Sequence, residues 1–165
     1  MLNNIRRFFG FQEFTLITKT LVGNNTSQED DFFKTMPIYQ TNVKNLKIQN
    51  GHYDGAYLKK GGILEPNGKG VLTFPDGATF KGDFKDGKRD GKGVMINAEG
   101  DKHEGDFKDN KAHGKGVVTY ANGAEYNGDF KYGQRNGQGV MIYASGAKYE
   151  GEFKDGLKHG QGVTT

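Results

Sequence analysis

Residues 126–146 read Tyr126-Asn-Gly128-Asp-Phe130-Lys-Tyr-Gly-Gln-Arg135-Asn-Gly137-Gln-Gly139-Val140-Met-Ile-Tyr143-Ala-Ser-Gly146, and the fold follows from how this stretch repeats. Its first half alternates aromatic or Gly with polar residues, so that Tyr126, Gly128 and Phe130 share one side of an extended chain. Its second half, Gly139 to Tyr143, is rich in β-branched and aromatic residues. A Gly-bounded tip, Tyr132 to Gly137, joins the halves, and Ser145-Gly146 turns the chain onward. The unit therefore predicts a β-hairpin. A helix is excluded, because each interior Gly costs about 1 kcal/mol relative to Ala.

Shifting the chain by 23 residues superposes the unit on its neighbours. Phe80, His103, Tyr126 and Tyr149 form one column, Gly82, Gly105, Gly128 and Gly151 a second, and Phe84, Phe107, Phe130 and Phe153 a third. Gly91, Gly114, Gly137 and Gly160 are followed by Gly93, Gly116, Gly139 and Gly162, then by Val94, Val117, Val140 and Val163. An irregular copy starts at Tyr53, Gly55 and Tyr57 and carries four extra residues around Lys60 to Asn67. Repeats thus begin at 53, 80, 103, 126 and 149, and five hairpins predict an all-β repeat array: an elongated, twisted, single-layer antiparallel sheet. Its rings are expected to stack in a row, with Phe84, Phe107, Phe130 and Phe153 forming an exposed stripe.

This unit resembles the MORN repeat, the membrane occupation and recognition nexus module, with its aromatic-x-Gly-x-aromatic strand followed by Gly-x-Gly and a short apolar strand. Phe stands where Trp is commonest in that family, His103 and Asn97 replace aromatics, and Asn110 replaces a turn Gly. The resemblance implies a hairpin array without catalytic residues, cofactor or metal. It further implies a scaffold of the ciliary, axonemal or cytoskeletal type, in the cytoplasm, that holds other proteins of a multi-subunit assembly.

Composition narrows the remaining classes. The chain has 165 residues with 27 Gly and no Cys or Trp, so disulfide scaffolds, cysteine–zinc sites and thiol nucleophiles are excluded. Only 33% of residues are hydrophobic, and no apolar run approaches the roughly 18 residues of a membrane-spanning helix. Lys and Arg number 23 against 20 acids, a net charge of +3 that makes no nucleic-acid footprint. The recurring Gly-Lys-Gly lacks the Gly-x-x-x-x-Gly-Lys-Ser/Thr spacing of a phosphate loop and reads as turn glycine. His52, His103, His113 and His159 are too scattered in the repeat frame to share a metal. Asp83, Asp106, Asp129 and Glu152 are expected to form a solvated charge ladder with Lys85, Lys108, Lys131 and Lys154.

Three surfaces are expected to meet partners. The first is the aromatic face: Tyr57, Phe80, Phe84, Phe107, Tyr126, Phe130, Tyr149 and Phe153. The second is a rim of basic tips, Lys88, Arg89, Lys111, Arg135 and Lys158, suited to an acidic protein tail or, as an alternative function, to anionic lipid headgroups of a peripheral membrane module. The third is the last strand, Gly162, Val163, Thr164 and Thr165, whose open edge invites a homo- or hetero-oligomer by strand addition. Residues 1–52 do not repeat. They are read as an arm or cap with a short helix and a first strand near 43–49. The apolar, Arg-bearing stretch Met1 to Val22 admits three readings: a segment docked on the sheet or a partner, a mitochondrial presequence that would make this an accessory subunit of a mitochondrial complex, or a membrane-surface anchor.

Overall fold

The computed structural model describes residues 40–60 and 63–165, which form one open antiparallel sheet of eleven strands in simple sequential order. The strands are β1 (Gln40–Ile48), β2 (Gly51–Lys60), β3 (Ile63–Thr73), β4 (Thr79–Lys85), β5 (Lys88–Ile96), β6 (Lys102–Lys108), β7 (Lys111–Thr119), β8 (Glu125–Lys131), β9 (Gln134–Ile142), β10 (Lys148–Lys154) and β11 (Leu157–Thr164). The hairpin array read from the 23-residue period is the observed architecture, and β1 adds one strand before it. Met1 to Val22 and its three readings lie outside the described residues.

Two kinds of turn alternate along the sheet. At the tips the chain reverses in two residues, both with positive φ: Asp86-Gly87, Asp109-Asn110, Tyr132-Gly133 and Asp155-Gly156. This is the turn whose twist matches that of flanking strands, and it demands residues tolerant of left-handed backbone. Asn110 satisfies the demand at φ 70, which is why a missing Gly leaves the second regular hairpin intact. At the opposite ends, Phe74, Asn97, Tyr120 and Tyr143 open wider loops. In these the amides of Gly77, Gly100, Gly123 and Gly146 donate back to the opening carbonyls.

Strand pairing also alternates. β3–β4, β5–β6, β7–β8 and β9–β10 run in unbroken register, whereas each hairpin formed across a tip shifts by two residues just after its central Gly pair. In β4–β5 the pairing passes from Gly82↔Gly93 to Phe84↔Arg89, so Asp90, Gly91 and Lys92 together face Asp83. The resulting bulge leaves a main-chain N–H without a ladder partner, and the facing carboxylate takes it: Lys92 N donates to Asp83 Oδ2 at 3.2 Å and Gln138 N to Asp129 Oδ2 at 3.0 Å. Gly91 at φ 116 and Gly137 at φ 115 sit in the bulge, directly against these carboxylates.

In-register pairing lines up the central glycines as an unbroken row, Gly55, Gly70, Gly82, Gly93, Gly105, Gly116, Gly128, Gly139, Gly151 and Gly162, across ten strands. Without Cβ atoms the row is a smooth floor, and aromatic rings lie on it. A Cβ at Gly93 would come within 2.3 Å of Phe80 Cζ, and one at Gly139 within 2.5 Å of the Tyr126 hydroxyl. Three tyrosines finish this posture by donating to the carbonyl three residues on: Tyr53 to Ala56 at 2.5 Å, Tyr126 to Asp129 at 3.0 Å and Tyr149 to Glu152 at 3.1 Å. Loss of clearance should therefore cost more than loss of backbone freedom. Gly93→Ala is expected to destabilise by about 3 kcal/mol, because the ring must lift from its neighbours. Gly77→Ala, where nothing lies within 4 Å of the added carbon and only φ +88 is strained, should cost about 1 kcal/mol. Urea unfolding of the two variants measures the difference.

Candidate functional site

The aromatic side of the sheet is a chain of nine rings in contact, and it differs from the stacked row expected of the phenylalanine column. The order is Tyr53, Phe84, Phe80, Phe107, His103, Phe130, Tyr126, Phe153, Tyr149, with centroid separations between 4.6 and 5.3 Å. Rings from the first and third columns alternate, and apart from the two tilted His103 contacts each meets the next edge to face. Rings on one strand touch by leaning together over the intervening Gly. Rings two strands apart touch over the central glycine of the middle strand: a Cβ at Gly116 would meet both His103 Nε2 at 2.8 Å and Phe130 Cδ2 at 3.3 Å. Each contact contributes about 0.5–1.5 kcal/mol beyond burial.

The same packing removes the stripe from the surface. Phe80 and Tyr126 are 0% exposed, and Phe84, Phe107, Phe130, Tyr149 and Phe153 range from 4% to 7%. Tyr57, half-buried on β2, stands outside the ladder; Tyr53, absent from the expected face, begins it. Burial pushes the Tyr53 and Tyr126 hydroxyls up to about 12. The expectation of an exposed aromatic stripe is thus corrected: a sheet with no second layer makes one from its own rings, and little ring surface remains for a partner.

The basic residues do not form one rim either. Arg89 and Arg135 pair with Phe84 and Phe130 and fold over the rings. The Arg89 guanidinium carbon lies 5.5 Å from the Phe74 centroid and 5.6 Å from Phe80; that of Arg135 lies 5.5 Å from both Tyr126 and Phe153. Each anchors the next tip by donating to a turn carbonyl at 2.6 Å, Asn110 for Arg89 and Gly156 for Arg135. Lys158 covers the last ring, its Nζ 4.3 Å from the Tyr149 centroid. Lys88 and Lys111 stand one position earlier, outside this cover, and Lys88 pairs with Asp109 at 2.8 Å. Alternation explains the split, since consecutive residues after a two-residue turn point to opposite faces.

The face away from the rings carries the charge ladder, with different partners from those expected. Asp83, Asp106 and Asp129 pair with Lys69, Lys92 and Lys115 at 2.8, 2.6 and 2.6 Å, the lysines of Gly-Lys-Gly, which sit directly opposite on the preceding strand. Unbroken register sets each lysine directly against its aspartate, whereas Lys85, Lys108 and Lys131 lie at the tips. The fourth rung is Gln138 opposite Glu152. Two grooves open on this face. One, of about 740 Å3, runs over Gly70, Gly82, Gly93 and Gly105 between charged walls that include Lys69, Lys81 and Glu104. The other, of about 690 Å3, lies by the tip of the β8–β9 hairpin.

At the outer edge, β11 pairs with β10 and all eight of its residues are exposed. Val163 is 65% exposed, and Thr165 continues the ladder through two main-chain bonds with Lys148. These bonds fix the parity: the N–H and C=O of Gly162 and Thr164 point outward.

His103 interrupts the ring ladder. It lies between Phe107 and Phe130, and its buried Nε2 has no hydrogen-bond partner. Ala112 stands beside it where Arg89 and Arg135 cover the neighbouring rings. Burial holds the imidazole below its ordinary value of 6.5. The unfolded chain therefore takes up this proton first, so the stability tied to neutral His103 is complete above pH 6.5 and declines as pH falls below it. His103→Phe should raise stability by about 1–2 kcal/mol at neutral pH, by removing an unsatisfied group and adding a ring. It should also flatten the pH 5–7 part of the stability curve, which thermal unfolding at stepped pH would show.

A family model described as MORN repeat matches the chain five times, over residues 65–79, 80–102, 103–125, 126–148 and 149–165. No curated protein matches the chain in a sequence comparison.

Proposed function

The chain belongs to the MORN repeat family, whose repeats mediate protein or membrane interactions and are generally non-catalytic, and from this premise we propose that it is a non-enzymatic scaffold subunit holding other proteins in a larger assembly. The assembly we infer is ciliary or cytoskeletal, in the cytoplasm. The observation that carries the reading is β11, a fully exposed strand at the margin of a rigid, ring-clamped sheet. Outward main-chain groups at Gly162 and Thr164, with exposed Val163 between them, suit strand addition by a partner or a second copy. Docking on the aromatic side falls to the half-buried cover, Phe74, Arg89, Tyr120, Arg135 and Tyr143, because the rings below are spent on each other. A lipid-headgroup role draws less support. Of its five basic residues, Arg89, Arg135 and Lys158 lie over rings and Lys88 is paired with Asp109. The mitochondrial alternative rests on Met1 to Val22, outside the described residues.

Thr164→Pro separates edge pairing from folding. It deletes an outward donor while leaving the inward bonds of β11 to β10 in place. In native extract, cross-linking mass spectrometry with the unaltered chain should recover partner or self cross-links clustered on 157–165. The variant should lose them by about tenfold or more, with its unfolding free energy changed by less than about 1 kcal/mol. A monodisperse monomer without cross-linked partners, or equal recovery by both chains, counts against the reading.

A further inference from the structure

Phe74, Phe80 and Arg89 close the ring ladder from above at the first regular repeat, the arginine lying over both rings. The residues in register with them are Tyr120, Tyr126 and Arg135 in the third repeat and Tyr143, Tyr149 and Lys158 in the fourth. In the second they are Asn97, His103 and Ala112, so all three have changed together. The change uncovers the ladder there: Phe80 and Tyr126 are 0% exposed, whereas His103 is only half-buried. Asn97 makes its bonds within its own loop, donating from Nδ2 to Asp101 Oδ2 at 3.2 Å and accepting from Asp101 N at 2.8 Å.

The loss is felt where the second repeat meets the third. At β5–β6, Phe80 meets Phe107 edge to face at 4.9 Å, and Arg89 reaches across to the tip carbonyl of Asn110. At β9–β10, Tyr126 meets Phe153 at 5.0 Å, and Arg135 reaches Gly156 in the same way. At β7–β8 the ladder contact is the tilted pair His103 and Phe130. Among the described residues no cation lies over that pair, and no side chain donates to Gly133, the carbonyl in register with Asn110 and Gly156. A main-chain ladder, the Lys115–Asp129 pair and the bond from Gly133 N to Ala112 O remain. The buried apolar side chains divide at the same repeat. One cluster ends at Phe107, and the next begins at Ala112 and includes Phe130, with His103 in neither.

Among the described residues, nothing facing His103 favours a proton on it. β5 sets Met95 opposite and carries the Arg89 cation; β7 sets Val118 opposite, with Ala112 further along; β8 contributes Tyr126 and Phe130. The Tyr126 hydroxyl is pushed up to about 12 and stays neutral. Asp101, two residues before the imidazole, is held by Asn97 Nδ2 and by Ala121 N at 2.8 Å. Lys102 and Glu104, the chain neighbours, pair with each other at 2.8 Å. Burial keeps the imidazole below its ordinary value, so a proton is taken up by whatever state brings His103 to water.

We propose that the second repeat, residues 102–119, is a breakpoint of the array: the sheet parts there into two cooperative blocks, β1–β5 and β8–β11, and proton uptake by His103 loosens the join. Within a block, rings and arginines keep the sheet stiff, so local opening is confined to one place and becomes easier in mildly acid surroundings. The inference concerns the body of the sheet and is independent of what pairs with β11.

Hydrogen exchange of the full chain, followed by mass spectrometry at pH 7.5 and 5.5 and expressed as protection factors, reads each repeat separately. Amides of 102–119 should be about tenfold less protected than those of 79–96 and 125–142 at pH 7.5, the effect of a missing clamp. At pH 5.5 the gap should widen, by at most about tenfold, the limit for a group of ordinary value 6.5 one unit below it. His103→Phe should abolish the widening, and H103F/A112R, which restores the ring and its arginine, should bring 102–119 level with its neighbours. Arg89→Ala should do the reverse, lowering the protection of 79–96 toward that of 102–119, and it tests the clamp even where the double variant does not fold. Equal protection of the three repeats at pH 7.5 would overturn the breakpoint. A widening at pH 5.5 that persists in His103→Phe would overturn the part played by the proton, and an Arg89→Ala chain as protected as the original would overturn the clamp as its cause.

Discussion

A ring can lie flat on a β-sheet only where the strands beneath it lack side chains, and this clearance is the condition on which the rest of the molecule depends. The glycine row meets it ten times over. Once the rings are down, each strand face reaches its neighbours two strands away, and an open sheet acquires a packed interior without a second layer. Every interior repeat then bonds to its neighbours by the same two ring contacts and the same tip bond, such as Asn110 N to Arg89 O at 3.0 Å or Gly133 N to Ala112 O at 2.8 Å. Stability accordingly accumulates repeat by repeat, as in other linear arrays.

The second glycine column solves a different problem. Lying flat brings two rings on one strand together over a single Gly, and the partner strand accommodates this by bulging two residues. The bulge needs positive φ, met by Gly91, Gly114 and Gly137, and a partner for its orphan N–H, met at the facing aspartate of two tips. The lysine of Gly-Lys-Gly is thereby explained as the cross-strand mate of an aspartate that the bulge has already placed, rather than as a phosphate ligand.

The period of 23 residues made the hairpins, the wider turns and the glycine columns legible in the sequence, since each depends on local backbone demands that a residue type advertises; the tip read as Tyr132 to Gly137 is shorter, the chain reversing at Tyr132-Gly133 with β9 starting at Gln134. Three features were not legible. Burial of the rings depends on contacts between strands two apart, which no alternation pattern encodes. The fate of Arg89 and Arg135 depends on a parity set by turns of two residues, where a longer tip would have turned both arginines to the other side. The pairing of Asp83 with Lys69 rather than Lys85 depends on the register between neighbouring repeats, across β3–β4, which the residues of one repeat do not display.

These demands divide the positions of each unit into those the fold consumes and those it leaves open. Rings, central glycines and bulge glycines are consumed, so a partner cannot read them and selection for binding cannot easily alter them. Specificity must sit where the fold is indifferent: at the exposed alternate positions of the second strand and along the outer strand. The two exceptions to the repeat's own chemistry then have different meanings. His103 lies at a consumed position, and its cost is borne inside the ladder with Ala112 conceding the space of an arginine. Tyr132 lies at an exposed one, where its ring meets His113 of the preceding hairpin at 6.1 Å and Lys131 Nζ at 5.6 Å, so its contacts join two tips outside the ladder.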